Sequence, residues 1–240
     1  MNQKNTVTAA LLIIGDEILS GRTEDKNVNF LAKNLTEMGI KLCEVRVVAD
    51  VEEEIIFALN EIRKKFNYVF TSGGIGPTHD DITSLSVAKA FGEELIQNQE
   101  ATEILYSYYG QGNVNEARLK MAFVPQSAKL LDNPVSSAPG FRIGNVFVMA
   151  GVPKIFQAMF FAAKKELVTG KKVESRELKI SLTESLIAKD FAFLQNKYPQ
   201  VTMGSYPFEG GTSLVFRSSN LDLLEKALKE MSDILPNITK

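Results

Sequence analysis

One cysteine, Cys43, and one histidine, His79, are all that 240 residues contain of those two types. An intramolecular disulfide and a cysteine-rich metal centre are therefore excluded, and a reducing compartment, the cytoplasm, is expected. Tryptophan is absent, which excludes nothing. No apolar run approaches the roughly 18 residues that a membrane-spanning helix needs. The first eight residues are polar and lead into only a short apolar stretch, so no secretory signal is expected. Charge of one sign is not in excess. The 27 Lys and Arg against 29 Asp and Glu leave a net charge of −2, so neither nucleic acid nor an anionic membrane is an expected partner. The common nucleotide fingerprints are missing too. Gly74-Ile75-Gly76 has no third glycine at the dinucleotide-binding spacing, and no Gly-Lys-Ser/Thr closes a P-loop. There is no internal repeat and no low-complexity tract.

What remains is an ordinary globular composition, 45% hydrophobic and 23% charged, with enough chain for a large core. Residues 9–14 form a continuous apolar run, the pattern of a strand buried on both faces. Residues 27–38 carry Val28, Leu31, Leu35 and Met38 at helical spacing, with Gly39 at the expected C-terminal cap. A strand at 40–48, a helix at 51–66, a strand at 67–71 and a helix at 80–91 follow. This alternation argues for an α/β fold: three layers, α/β/α, around a mostly parallel sheet. Residues 98–121 look helical. Gly144-Asn145 reads as a tight hairpin between 141–143 and 146–149, and Pro153 opens another helix. Gly170-Lys171-Lys172 is a polar break. A main domain, 1–169, is expected before it, and a small β-α-β-β-α domain, 170–240, after it.

The most informative stretch is residues 71–83, Thr-Ser-Gly-Gly-Ile-Gly-Pro-Thr-His-Asp-Asp-Ile-Thr. A strand ending in a glycine-rich turn that feeds a helix makes an anion site: amides converge and a phosphate can approach the backbone. Ser72, Gly73, Gly74, Gly76 and Thr78 are the candidate phosphate ligands. Asp80 and Asp81 beside them suggest a divalent ion bridging to the phosphate. The plainer reading is a structural turn in which Thr78 or Asp80 caps the helix. A second polar cluster follows the first strand: Asp16, Glu17, Ser20, Gly21 and then Asn27. In a parallel sheet the loops after strands one and three open on one edge, so Asp16, Glu17, Asp50, Asp80 and Asp81 are candidates to converge; the alternative is a solvated loop. Residues 136–140 and 151–153 could supply backbone donors to the same cleft, which makes Ser137, Gly140, Gly151 and Pro153 candidate ligand-lining residues. His79 is left out of the catalytic set. Cys43 is expected to be a packing residue. Tyr106, Tyr108 and Tyr109 read as a helix-packing patch rather than a base-stacking platform.

At these residues the chain resembles the CinA-type branch of the molybdopterin-binding MoaB/Mog superfamily. The resemblance spans about residues 9–165 and rests on IIGDEILSGR, VVAD, TSGGIGPTHDDIT, NPVSSAPGF and AGVPKIFQAMF. The tail, with GSYPFEGG at 204–211, also resembles this branch. Departures from the family's usual residues are Ser72, Ser136-Ser137 and Met149-Ala150. The resemblance implies the three-layer α/β/α domain and a homo-oligomer, dimer or trimer. It places on Asp81 and Asp50 the aspartates that serve the molybdopterin site in relatives. It further implies one of two activities. One is divalent-metal-dependent hydrolysis of a nucleotide pyrophosphate such as ADP-ribose or FAD, with magnesium, manganese or cobalt as the metal. Asp81, Asp80 and Asp50 would then be catalytic, and Asp81, Asp80, Asp16 and Glu17 would be metal ligands. The other is non-hydrolytic binding of molybdopterin or an adenylylated pterin. Neither pyridine-nucleotide deamidation nor FAD synthesis is expected. A weaker third expectation is an interaction module in residues 171–240.

Overall fold

The computed structural model describes residues 6–238, apart from the side chain of Asn237. Part of the expectation for the polar N-terminus, residues 1–5, lies outside the described residues. The chain divides into two compact units, 1–170 and 171–240.

The larger unit opens with β1 (Val7–Ile14), a one-turn helix α1 (Asp16–Leu19) and α2 (Asn27–Glu37). There follow β2 (Ile40–Val48), α3 (Glu52–Lys65), β3 (Tyr68–Ser72) and α4 (Thr83–Phe91). A small antiparallel hairpin-like pair, β4 (Leu95–Gln97) with β5 (Phe123–Pro125), encloses α5 (Gln99–Tyr109) and α6 (Glu116–Lys120). The unit closes with β6 (Lys129–Leu131), β7 (Gly140–Ile143), β8 (Val146–Met149) and α7 (Pro153–Ala163). Its six-stranded sheet has the order β2-β1-β3-β8-β7-β6. The first four strands are mutually parallel, and β7 and β6 extend the sheet antiparallel.

The apolar run of β1 explains the layering. Ala9, Leu11 and Ile13 face one core, shared with Leu31 and Leu35 of α2 and with Phe156, Met159 and Phe160 of α7. Ala10, Leu12 and Ile14 face the other, shared with Ile55, Leu59 and Ile62 of α3 and Val87 of α4. Successive strand residues point to opposite faces, so a strand covered on both sides must be apolar throughout. Each fully buried Leu, Ile or Phe contributes about 1.5–3 kcal/mol. The Phe70 and Phe147 rings stack at 5.3 Å in the first core.

The smaller unit consists of β9 (Glu174–Ile180), α8 (Glu184–Lys197), β10 (Thr202–Phe208), β11 (Gly211–Ser218) and α9 (Leu221–Ile238). Its three-stranded antiparallel sheet, β10-β11-β9, shares with its helices a core built on Ile187, Leu194, Leu214, Phe216, Leu224 and Met231.

Several expectations are corrected. Residues 98–121 are not one helix: α5 ends at Gly110, and a 3₁₀ turn at Gln111–Asn113 separates it from α6, which Asn115 caps by accepting from the Arg118 amide. Helix α4 begins at Thr83, not at residue 80, so the aspartate pair lies in the preceding turn. Cys43 is exposed rather than packed. It shares the exposed face of β2 with Lys41, Val45 and Val47, and it is the residue skipped where Ala9 pairs with Leu42 but Ala10 pairs with Glu44.

Candidate functional site

Because β2, β1, β3 and β8 run in one direction, their four C-terminal ends lie on one edge of the sheet. The chain passes from β1 to β2 on one side and to β3 on the other, which opens a crevice at the switch point between β1 and β3. Hydrogen bonds tie the loops at this edge together. The Gly15 amide donates to Val48 O at 3.2 Å and the Gly73 amide to Met149 O at 3.1 Å. The Asp16 amide donates to Asp50 Oδ2 at 2.9 Å. Asn27, buried at the start of α2, donates from Nδ2 both to Ser72 Oγ at 2.9 Å and to Gly151 O at 2.8 Å. One amide thus joins the loop after β1, the end of β3 and the loop after β8.

The glycine-rich turn is shaped by close approach. Gly73, at φ 110°, has the Ile14 carbonyl oxygen 2.2 Å from where a Cβ would stand. Gly74, at φ 69°, packs on Thr83. Thr83 in turn fastens the start of α4: its hydroxyl donates to Gly73 O at 3.0 Å and its amide to Gly74 O at 2.9 Å. Asp81 folds back over Gly76, and its Oδ2 accepts from the Thr78 amide at 2.8 Å and from the Thr78 hydroxyl. Among the described residues, the amides of Gly74, Ile75 and Gly76 make no hydrogen bond. Consecutive unused amides of this kind form a concavity that takes an anion.

This turn is one wall of a cleft of about 560 Å³. Glu17, Gly73, Gly74, Gly76, Asp81 and Gly151 line it, so six of the candidate residues meet there. The other carboxylates stand close by. Burial raises the Asp50 carboxyl above its ordinary value, and the charges of Asp16, Glu17 and Asp80 raise it further, while the Asp16 amide opposes them. Asp80 is exposed; the Thr78 hydroxyl and its own amide hold it below the ordinary range, with smaller help from His79 and Lys120. The acids therefore converge electrostatically. Among the described residues, however, no three of His, Cys, Asp or Glu group closely enough to hold a metal ion.

Other candidates fall elsewhere. The Ser72 hydroxyl is buried against Asn27 and the Gly73 amide is spent on Met149, so neither is open to a ligand as the structure stands. Thr78 works as the latch for Asp81. Ser20 and Gly21 lie on an exposed turn, Gly140 pairs inside the sheet with Leu131, and Pro153 is the first residue of α7. Ser137 borders a separate depression with Glu103 and Tyr108, and its amide donates to Asn133 O.

Sequence reasoning missed four residues that line the cleft: Tyr109, Arg118, Met121 and Asn133. The Arg118 guanidinium stacks 4.1 Å over the Tyr109 ring and donates to Asn113 O. Tyr109 does pack on α5 and Met121, as expected of a helix patch, and it borders the cleft as well. Asn133 is buried and holds its turn, donating to Ser136 Oγ and to Ala138 O at 2.7 Å each. An asparagine followed by proline and serines was the available signal for it. Nothing in the local sequence distinguished Arg118 from a solvated helix charge.

A glycine turn at the β1/β3 switch point of a three-layer α/β/α sheet, bordered by carboxylates, stands where open α/β sheets bind small molecules. The chain belongs to the family of probable molybdopterin binding domains of the MoaB/Mog superfamily, which residues 10–169 match. Residues 172–239 match the FAD synthase middle domain. Among solved structures it is similar to the protein CinA, of unknown function, from Thermoplasma acidophilum. That similarity has 36% identity and a TM-score of 0.64 over 68% of this chain and 99% of that one. A protein of Pyrobaculum calidifontis is 40% identical over 64% of this chain and 61% of its own length. A probable FAD synthase of Caenorhabditis elegans is 30% identical over 95% of this chain and 50% of its own length. The chain thus spans about three-fifths and one half of those two relatives. Among the described residues, no helix is long and apolar enough to cross a membrane.

Proposed function

We propose that this site hydrolyses the diphosphate linkage of a nucleotide, with ADP-ribose and FAD as the substrate class. The carrying observation is the row of unused amides, Gly74 to Gly76, on the wall of a cleft that also receives Arg118 and Asp81. Those amides and the guanidinium suit non-bridging phosphate oxygens. The matches to an FAD synthase middle domain and to a probable FAD synthase support a nucleotide ligand.

Carboxylates beside a phosphate call for a cation. The Asp50 carboxyl is raised first by burial and further by the charges of Asp16, Glu17 and Asp80. These carboxylates fit a divalent ion completed by phosphate oxygens rather than one caged by protein alone, since no three of them cluster. When bound, such an ion polarises the phosphoryl group and lowers the pKa of a coordinated water. The chain's own residues supply the rest. Asp81 holds the turn through Thr78, Arg118 faces the phosphate from the cleft wall, and Asp50, which burial raises above its ordinary value, is the carboxylate proposed to take a proton from water.

A test is incubation of the pure protein with ADP-ribose or FAD and magnesium, manganese or cobalt. Release of AMP is expected, and Asp81→Asn should slow it about 10²–10³-fold while the circular dichroism spectrum is unchanged. Undiminished metal-dependent release by that variant refutes the role of Asp81. A second reading, a pterin-phosphate carrier without hydrolysis, is favoured by the commitment of Asp81 Oδ2 to Thr78 and agrees with the family's description. Tight molybdopterin binding with no AMP under any metal would select it.

A further inference from the structure

Behind the glycine turn lies a second cavity, of about 290 Å³. Ile75, Gly76 and Asp81 line both it and the cleft, so the turn is the wall between them. Half of the remaining lining is apolar, Leu85 of α4, Leu95 of β4 and Phe123 of β5, and half is polar, Ser84 of α4 with Glu116 and Lys120 of α6. Its size is at the lower end of small-molecule sites, room for one ring system rather than a whole nucleotide.

Helix α6 serves both spaces. Arg118 lines the cleft and Lys120 lines the second cavity. Residues two apart on a helix do not share a face, so one short helix presents a cation on either side of the turn. Lys120 also donates to the Thr78 carbonyl oxygen, which ties α6 to the turn it straddles. A cation on each side, Lys120 with Glu116 beside it, unused amides between, and the apolar wall of Leu85, Leu95 and Phe123 beyond one of them make the complement of a particular shape of ligand.

We infer that the site takes a two-armed diphosphate. The diphosphate lies across Gly74 to Gly76, one arm fills the cleft, and the other, a planar ring system, enters the recess formed by Leu85, Leu95 and Phe123. This deepens the proposed function and rests on the turn being a diphosphate site. Hydrolysis of such a ligand adds the oxygen of water to one phosphorus. The bridging oxygen leaves with the other phosphate and its bonding electron pair, the water's protons pass to the products or solvent, and two monophosphates result. The recess then decides which dinucleotides are held.

The test compares affinities of two non-cleavable probes, methylene-bridged diadenosine diphosphate and methylene-bridged ADP, for the full chain with magnesium. The two-armed probe is expected to bind about ten-fold or more tightly than the one-armed probe. Filling the recess, by Leu85→Trp and separately by Ser84→Phe, should abolish that advantage while one-armed binding persists. Equal affinities in the unaltered protein overturn the inference. So does an advantage that survives in both variants when circular dichroism reports them folded. Absence of binding by either probe removes the diphosphate reading and this inference with it. A lost advantage in the variants, with no cleavage of FAD by the unaltered protein under any divalent ion, supports the inference and refutes only the hydrolysis.

Discussion

In the large unit four neighbouring strands run the same way, whereas in the small unit every neighbouring pair runs opposite. Both units mix strands and helices, and both have closed apolar cores. The difference lies in where the loops go. Parallel strands deliver every strand-to-helix turn to one edge, so residues as far apart in sequence as Asn27, Ser72 and Gly151 meet through one amide. Antiparallel neighbours send successive turns to opposite ends, and the β10–β11 turn at residues 209–210 stands in open space. Direction of the strands, more than composition, decides which unit gathers a polar site.

The comparison is sharpened first by its glycines. Replacing Gly73 by alanine drives a Cβ to 2.2 Å from the Ile14 carbonyl, backbone against backbone. A loss on the order of 4 kcal/mol or more is expected in chemical denaturation, since a core-edge clash has no flexible side chain to yield. The matched change Gly210→Ala, at φ 94° with nothing within 4 Å, should lose only the left-handed penalty of about 1–2 kcal/mol. Equal losses would break the contrast. Next in size is Asn27→Ala, which strands the buried Ser72 hydroxyl and the Gly151 carbonyl. A loss of about 2–3 kcal/mol is expected, with faster exchange of the Gly73 amide, which is bonded to Met149 O, and unchanged exchange in β11.

The smallest effect is electrostatic. Folded Asp50 holds its proton more tightly than the unfolded chain does, because burial and the neighbouring acids raise it from 3.8. Between that value and its higher folded value the native state binds more protons, so ionisation of Asp50 costs stability as pH rises. Asp50→Asn should therefore gain melting temperature relative to the unaltered protein as pH rises above about 4. Addition of magnesium should narrow the gap. A gap independent of pH would show that the acids at this edge are not coupled, and the edge would then resemble the small unit.

Much of this was legible beforehand. A continuous apolar run located β1, helical spacing located α2 and α3, and the Gly144-Asn145 pair located the hairpin, because burial and turn geometry write themselves into residue choice. The glycines of 73–76 announced a close backbone approach. Two local signals were passed over. The break after Tyr109 falls where Gly110, Gly112 and Asn113 interrupt the helical residues, and Asn115 then caps α6. Cys43 faces out on the same alternation as Lys41, Val45 and Val47 of β2. One residue left no local trace. Arg118 enters the cleft only because β4 and β5 return the chain over the turn. The candidate site was readable as a set of residue types, and it was the fold that separated their roles: Thr78 and Asp81 hold the turn, Asn27 pins it, and the amides of Gly74 to Gly76 are left unbonded.

The most direct measurement is a titration of ¹⁵N-labelled protein with a methylene-bridged diphosphate in the presence of magnesium. The account predicts the largest amide shifts at Gly74, Ile75 and Gly76, with the signals of residues 209–211 unmoved. Saturation that leaves those three amides in place, or shifts centred on the small unit, would contradict it.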